Sequence, residues 1–287
     1  MSEVRSSDGT PIAYEKSGEG PALILVDGAL CSRSFGGQQK VAERLADRFT
    51  VYLYDRRGRG GSGDAEPYAV EREIEDLQAV IAAAGGTAGV YGISSGAALA
   101  LETARETPGI TKLALYEPPF IVDGTRPPVP ADFIPGLRKA NAEGRPGDAV
   151  KMFMRLVGVP AFGMAMMQLM RPVWRKLKAA AHTLPYDLTI LEPYQRGVPL
   201  PPARWASVTA PALVMSGGKA EEWMANGARG LADVLPNADH AVLEGQTHQV
   251  KPKALAPALA EFFAGPASAV AAGRASASAG GRPVLER

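Results

Sequence analysis

The chain has 287 residues, of which 46% are apolar and 21% charged, so it carries enough apolar material for a sizeable core and does not read as disordered. Its 31 basic and 30 acidic residues give a net charge of +1, which argues against a nucleic-acid partner, because such a surface needs a basic stripe. A single cysteine, Cys31, excludes an intrachain disulfide, and the three histidines sit in no paired ligand motif, so neither a metal nor another cofactor is expected.

Residues 1–20 are polar, and nowhere do about 18 apolar residues run together as a membrane span requires. No membrane partner and a cytoplasmic location are therefore expected. Segments 4–6 and 12–15, separated by the turn residues Ser7-Asp8-Gly9-Thr10, suit an edge hairpin. Residues 22–26 then form a continuous apolar run of the kind a buried parallel strand shows, followed by a helical pattern over 38–49. The alternation repeats with strands at 51–54 and 88–93 and helices at 70–84 and 97–107. Such a rhythm predicts an α/β fold with a doubly wound, mostly parallel sheet.

A strand at 113–116 ends on Glu117-Pro118-Pro119, and from there the pattern turns to helices broken by prolines. This defines an inserted helical cap over 120–208, between a first part of the core at 1–119 and a second part at 209–265. The cap holds six of the nine methionines, all between Met152 and Met170, which offers a soft apolar surface or simply fills helix-packing gaps. The core resumes with a strand at 212–215, a helix near 221–234, a strand at 241–243 and a helix at 253–263. Beyond Gly265 the composition collapses to Ala, Ser, Gly and Arg, and 266–287 reads as a flexible tail.

The chemistry concentrates at Gly92-Ile93-Ser94-Ser95-Gly96, where an apolar strand gives way to an alanine-rich helix. A tight strand-to-helix turn would hold Ser94 in a strained, projecting position, and the flanking glycines leave room for it. The backbone N–H of Ser95 would then face a developing oxyanion at the positive end of the helix. A neutral serine hydroxyl needs a base. His248 lies in the loop after the last strand, at the sheet edge where strand ends carry ligand sites. His240 falls at the start of that strand and His182 in the cap, and both read as surface or structural residues.

The order nucleophile, acid, histidine, together with the Asp55-Arg56-Arg57-Gly58-Arg59-Gly60-Gly61-Ser62 stretch and the loop Asp27-Gly28-Ala29, resembles the α/β-hydrolase superfamily over roughly residues 12–263. The resemblance implies a serine hydrolase fold in which Asp55 and its glycines shape a turn. It also implies an oxyanion hole completed by the backbone N–H of Gly28 or Ala29, although Asp27-Gly28 stands where the family commonly has His-Gly. The usual triad aspartate after the strand at 212–215 is missing. Glu117 at the end of the preceding strand is the replacement with the better position, stiffened by Pro118-Pro119. Glu221, at a helix start that favours acidic residues anyway, is the alternative. The Val26-Asp27-Gly28, Gly92-Ile93-Ser94-Ser95-Gly96 and Tyr116-Glu117-Pro118 segments are similar to those of the lactone hydrolases that open zearalenone.

These readings imply acyl transfer on an ester or lactone of a hydrophobic, medium-sized molecule. Met154, Met166, Met170 and Trp174 of the cap are candidate substrate contacts, as is Asp187, for which a helix N-cap is the plainer reading. Two other functions fit the same fold: a small-molecule binding protein without catalysis, and a cofactor-free lyase or cyclase.

Overall fold

The computed structural model describes residues 2–265, so the tail expected at 266–287 lies outside the described residues. An N-terminal hairpin of β1 (Ser2–Arg5) and β2 (Pro11–Ser17) leads into β3 (Ala22–Val26), α1 (Gln38–Leu45), β4 (Thr50–Tyr54), α2 (Val70–Ala83), β5 (Ala88–Ile93), α3 (Ser95–Glu106) and β6 (Ile110–Tyr116). The cap follows as α4 (Phe133–Ala142), α5 (Pro146–Leu156), α6 (Ala161–Leu169), α7 (Arg171–Ala179) and α8 (Leu184–Leu191), with short 3₁₀ turns around the last of these. The chain then returns through β7 (Ala212–Gly217), α9 (Glu222–Val234), β8 (Ala238–Leu243) and α10 (Pro252–Ala264).

The strands form an 8-stranded sheet in the order β1-β2-β4-β3-β5-β6-β7-β8. Its first two pairings are antiparallel and every later one is parallel. Parallel strands must be covered on both faces, and the alternation within β3 shows how. Leu23 and Leu25 face the layer of α1 and α10, packing with Val41, Leu45, Leu255 and Leu259. Ile24 and Val26 face the layer of α2 and α3, with Leu77, Val80, Leu99 and Leu101. Residues 97–101 of α3 are fully buried, which explains their alanine-rich sequence: small side chains let this helix lie close to the sheet while the cap packs over it.

Several boundaries differ from the sequence reading by a few residues, and three of them bear on α3, α1 and His240. Helix α3 begins at Ser95, directly after Ser94, and helix α1 stops at Leu45. Strand β8 starts at Ala238, so His240 lies within it, paired with Val214 and 3.2 Å from Ser216 Oγ.

Candidate active site

Strand order fixes where a ligand can bind. From β3 the chain moves outward to β4 and then returns to the other side of β3 as β5, so a crevice opens beyond the carboxyl ends of these strands. Asp27 to Ala29, Ser94, Glu117 and His248 all follow strands at that edge.

Ser94 has φ 56° and ψ −129°, a conformation that costs a non-glycine residue about 1–3 kcal/mol. Neighbouring contacts enforce it: Ser94 N–H donates to Tyr116 O at 3.0 Å, and Ala97 N–H returns to Ser94 O at 3.0 Å. The flanking glycines are required by close backbone approach. A Cβ on Gly92 would lie 2.5 Å from Gly96 O, and one on Gly96 would lie 2.4 Å from Asp27 O.

Glu117 is fully buried and also strained, with φ 44°. Its backbone N–H donates to Met215 O at 3.0 Å, and its Oε1 accepts the Gly217 N–H at 2.7 Å. Its Oε2 lies 2.7 Å from His248 Nδ1. The carboxylate is thus held by main chain on one oxygen and holds the imidazole with the other. The histidine loop is fixed independently, since the Tyr116 hydroxyl donates to Thr247 O at 2.7 Å. Glu221 takes no part in this pair. It is two-thirds exposed, and its Oε2 accepts the Trp223 indole N–H at 2.7 Å.

The backbone donors facing Ser94 divide unequally. Gly28 N–H donates to Asp27 Oδ1 at 3.0 Å. Ala29 and Ser95 line the cavity at Ser94, and no acceptor for either N–H is found among the described residues. Burial pushes the Asp27 carboxyl up to about 6, with the Gly28 N–H, Cys31, Arg59 and Arg56 working against the rise. The loop is braced from behind by Arg59 Nη1, which donates to Gly28 O at 2.8 Å.

The cavity measures about 310 Å3 and is bounded by Ser94, Glu117 and His248 at the sheet edge. Its apolar walls come from Phe153, Leu156 and Val157 at the end of α5, Leu188 and Leu191 of α8, and Trp223 and Met224 of α9. Both Ser94 and His248 face it, while no Ser94 to His248 hydrogen bond is formed among the described residues. Such contacts commonly tighten only around substrate.

The cap residues singled out from sequence fall elsewhere. Met154 and Trp174 pack against the large apolar cluster that the cap shares with the sheet, and Met166 and Met170 are about half exposed; none of these four borders the cavity. For Met154 the reason is helical phase, since on α5 the cavity takes Phe153, Leu156 and Val157 and Met154 points off that stripe, whereas α6 and α7 contribute no residue to the cavity walls. Asp187 does border the cavity, but as a buried ionic hub and not as an N-cap, because it sits within the first turns of α8 and caps nothing. It accepts from Arg56 Nη1 at 2.7 Å, Arg59 Nη2 at 2.7 Å and Ser95 Oγ at 2.6 Å. Burial opposes its charge, yet Arg59 and Arg56 hold the carboxyl below its ordinary value. Arg56 also makes a two-pronged pair with Glu73 at 2.7 and 2.8 Å.

This network was not anticipated from sequence, where the stretch 55–62 reads as a turn. The turn is real: Asp55 accepts Arg33 and Gly61 N–H groups at 2.7 and 2.8 Å, and a Cβ on Gly60 would strike its carboxylate at 2.2 Å. The available signal was a run of arginines directly after a buried strand, where burial demands carboxylate partners.

The model of the alpha/beta hydrolase family matches residues 24–258, and the chain belongs to that family. An alpha/beta hydrolase from Sphaerobacter thermophilus is 54% identical, with a TM-score of 0.84 over 91% of this chain and 100% of that one. The N-formylmaleamate deformylase of Pseudomonas putida is 35% identical over 142 residues, 47% of this chain and 52% of that protein. The chain spans about half the length of the curated relatives it matches. The enol-lactonase of Burkholderia xenovorans shares the fold, at 20% identity and a TM-score of 0.67 over 92% of this chain and 98% of that one.

Proposed function

We propose that the chain is a serine hydrolase that cleaves an ester or lactone bond of a hydrophobic small molecule through an acyl-enzyme. The observation that carries the reading is the 2.7 Å contact between Glu117 Oε2 and His248 Nδ1 beside a strained Ser94 in one cavity. Glu117 fixes the ring so that Nε2 takes the Ser94 proton as the hydroxyl attacks the carbonyl, and it stabilises the imidazolium that results. The oxyanion is received by the N–H groups of Ala29 and Ser95, and the N-terminus of α3 adds a favourable field. His248 then protonates the leaving alcohol, and water activated by the same ring releases the acid.

Two comparisons support acyl chemistry: relatives and fold neighbours include a deformylase and an enol-lactonase. The similarity of segments 26–28, 92–96 and 116–118 to zearalenone-type lactone hydrolases favours a glutamate as triad acid and keeps lactones among the substrates. The test is a panel of p-nitrophenyl esters and macrolactones, run with fluorophosphonate labelling. Labelling at Ser94 and turnover of at least one member are expected, with Ser94→Ala losing about 10⁴-fold or more in turnover. An unlabelled Ser94 would leave a binding protein, and retained turnover in Ser94→Ala would point to lyase or cyclase chemistry.

A further inference from the structure

The charges around the cavity do not cancel. Glu117 is occupied by His248 and the Gly217 N–H, and Asp187 by two arginines and the Ser95 hydroxyl. The remaining charged groups are Arg126, Lys219 and Glu221. Arg126 enters from the loop between β6 and α4, and Lys219 from the loop after β7. Their two positive charges face a single carboxylate, and Glu221 answers them weakly: its Oε2 is 3.9 Å from Arg126 Nη1 and already accepts the Trp223 indole N–H. Lys219 is exposed and forms no ion pair among the described residues.

Arg126 is the better placed of the two. Its side chain is only one-fifth exposed, and its guanidinium carbon lies 4.2 Å from the Trp223 ring centroid. One nitrogen, Nη2, donates to Leu156 O. The guanidinium lies over the indole, Nη2 is taken by Leu156 O and Nη1 stands 3.9 Å from Glu221, so Nη1 and Nε have no hydrogen-bond acceptor among the described residues and remain as the donors that can grip a carboxylate. Burial pulls this arginine below its ordinary value, with Glu221 as the opposing charge, which fits a cation short of a close anionic partner. The remaining walls are mostly apolar, from Phe153, Leu156, Val157, Leu188 and Leu191, and their other polar groups, Gln195, Thr247 and Gln249, carry no charge.

We propose that Arg126, assisted by Lys219, forms a carboxylate subsite in the catalytic cavity, so that the substrate is an apolar ester or lactone bearing an acid group remote from the scissile bond. This rests on the serine hydrolase reading for the reaction, but the subsite can be tested without turnover. In Ser94→Ala protein, calorimetry compares monoethyl adipate with ethyl hexanoate, which match in chain length and differ in a terminal carboxylate. The acid is expected to bind about tenfold tighter, as a charge-assisted pair in a partly dry site supplies, with the preference weakening as salt is raised. Adding Arg126→Gln should abolish the preference, Arg126→Lys should keep part of it, and Lys219→Ala, at an exposed position that tolerates change, should reduce it.

Equal binding of the two esters, or a preference that survives both Arg126→Gln and Lys219→Ala, overturns the subsite. Fluorophosphonate labelling of the wild type separates the two ideas. A labelled Ser94 without acid preference removes the subsite and keeps the hydrolase; an acid preference with an unlabelled serine keeps the subsite as a ligand site and removes the reaction.

Discussion

At the scale of single residues, the site depends on groups whose ordinary tendencies are overridden. Glu117 is a buried carboxylate that stays useful because a backbone N–H occupies one oxygen and His248 the other. Glu117→Gln keeps the size and the Gly217 contact but can no longer stabilise an imidazolium, so kcat should fall about 10³–10⁴-fold with KM little changed. Steady-state kinetics on any ester the wild type accepts checks this, and a loss below tenfold would move the acid role elsewhere. Asp27 is the opposite case, a carboxyl whose folded environment resists ionisation. Its value rises from 3.8 to about 6 on folding, so the folded state holds the proton more tightly across that window. The charge therefore contributes nothing against folding below pH 3.8, and a penalty accumulates as pH rises towards about 6. Asp27→Asn removes the penalty. Its stability advantage over wild type should grow from near zero to as much as about 3 kcal/mol between the two sides of the window, as read by urea unfolding. A difference that is flat with pH would show that this carboxyl is not the titrating group.

Among elements, the informative contact is between α8 of the cap and the arginine turn after β4. Asp187 ties α8 to Arg56 and Arg59, Arg59 reaches back to Gly28 O, and Arg56 reaches across to Glu73 on α2. One carboxylate thereby fastens the cap to the loop that carries Ala29 and to the start of α3. Asp187→Ala would leave two buried guanidinium groups short of a partner, and the expected loss is about 3–5 kcal/mol in chemical denaturation. Because Ser95 Oγ also loses its acceptor, kcat should drop beyond what the unfolded fraction explains. The arginine run signals a need for carboxylate partners, but which carboxylates answer it was not legible in the sequence, although the elements themselves were. Strands such as β3 and β5 declare themselves through continuous apolar runs, and helices such as α2 and α9 through their period. Asp187, the partner that Arg56 and Arg59 share, lies more than a hundred residues along the chain, and no local pattern encodes a pairing across that distance. The same limit explains the cap: its methionines marked a helical apolar region, but which of its helices met the cavity depended on tertiary packing, and only α5 and α8 do. That Glu117 and His248 share one edge was legible because strand ends in a parallel sheet converge there whatever the loops do, whereas the sequence leaves open the choice between Glu117 and Glu221 as the partner of His248.

For the molecule as a whole, the distribution of apolar surface separates what serves the cavity from what does not. The large buried clusters cover both sheet faces, whereas α6 turns Phe162, Met166 and Leu169 outward, with Met170 just beyond it, at 77%, 44%, 75% and 52% exposure. These positions fall on one helical stripe, opposite the buried Met164. Apolar area of this kind on a solvent-facing helix favours self-association, and it lies apart from the residues that line the cavity. Replacing Phe162 and Leu169 together by glutamine should therefore lower the tendency to associate, as measured by static light scattering across a concentration series. Stability should move by no more than about 0.5 kcal/mol, as for surface sites without buried partners. The kinetic constants should stay within about twofold, since neither residue touches the cavity walls and the transition state loses no contact. A KM raised tenfold or more with kcat intact would mean that substrate is collected on this stripe before it reaches Ser94, and would make α6 part of the binding path.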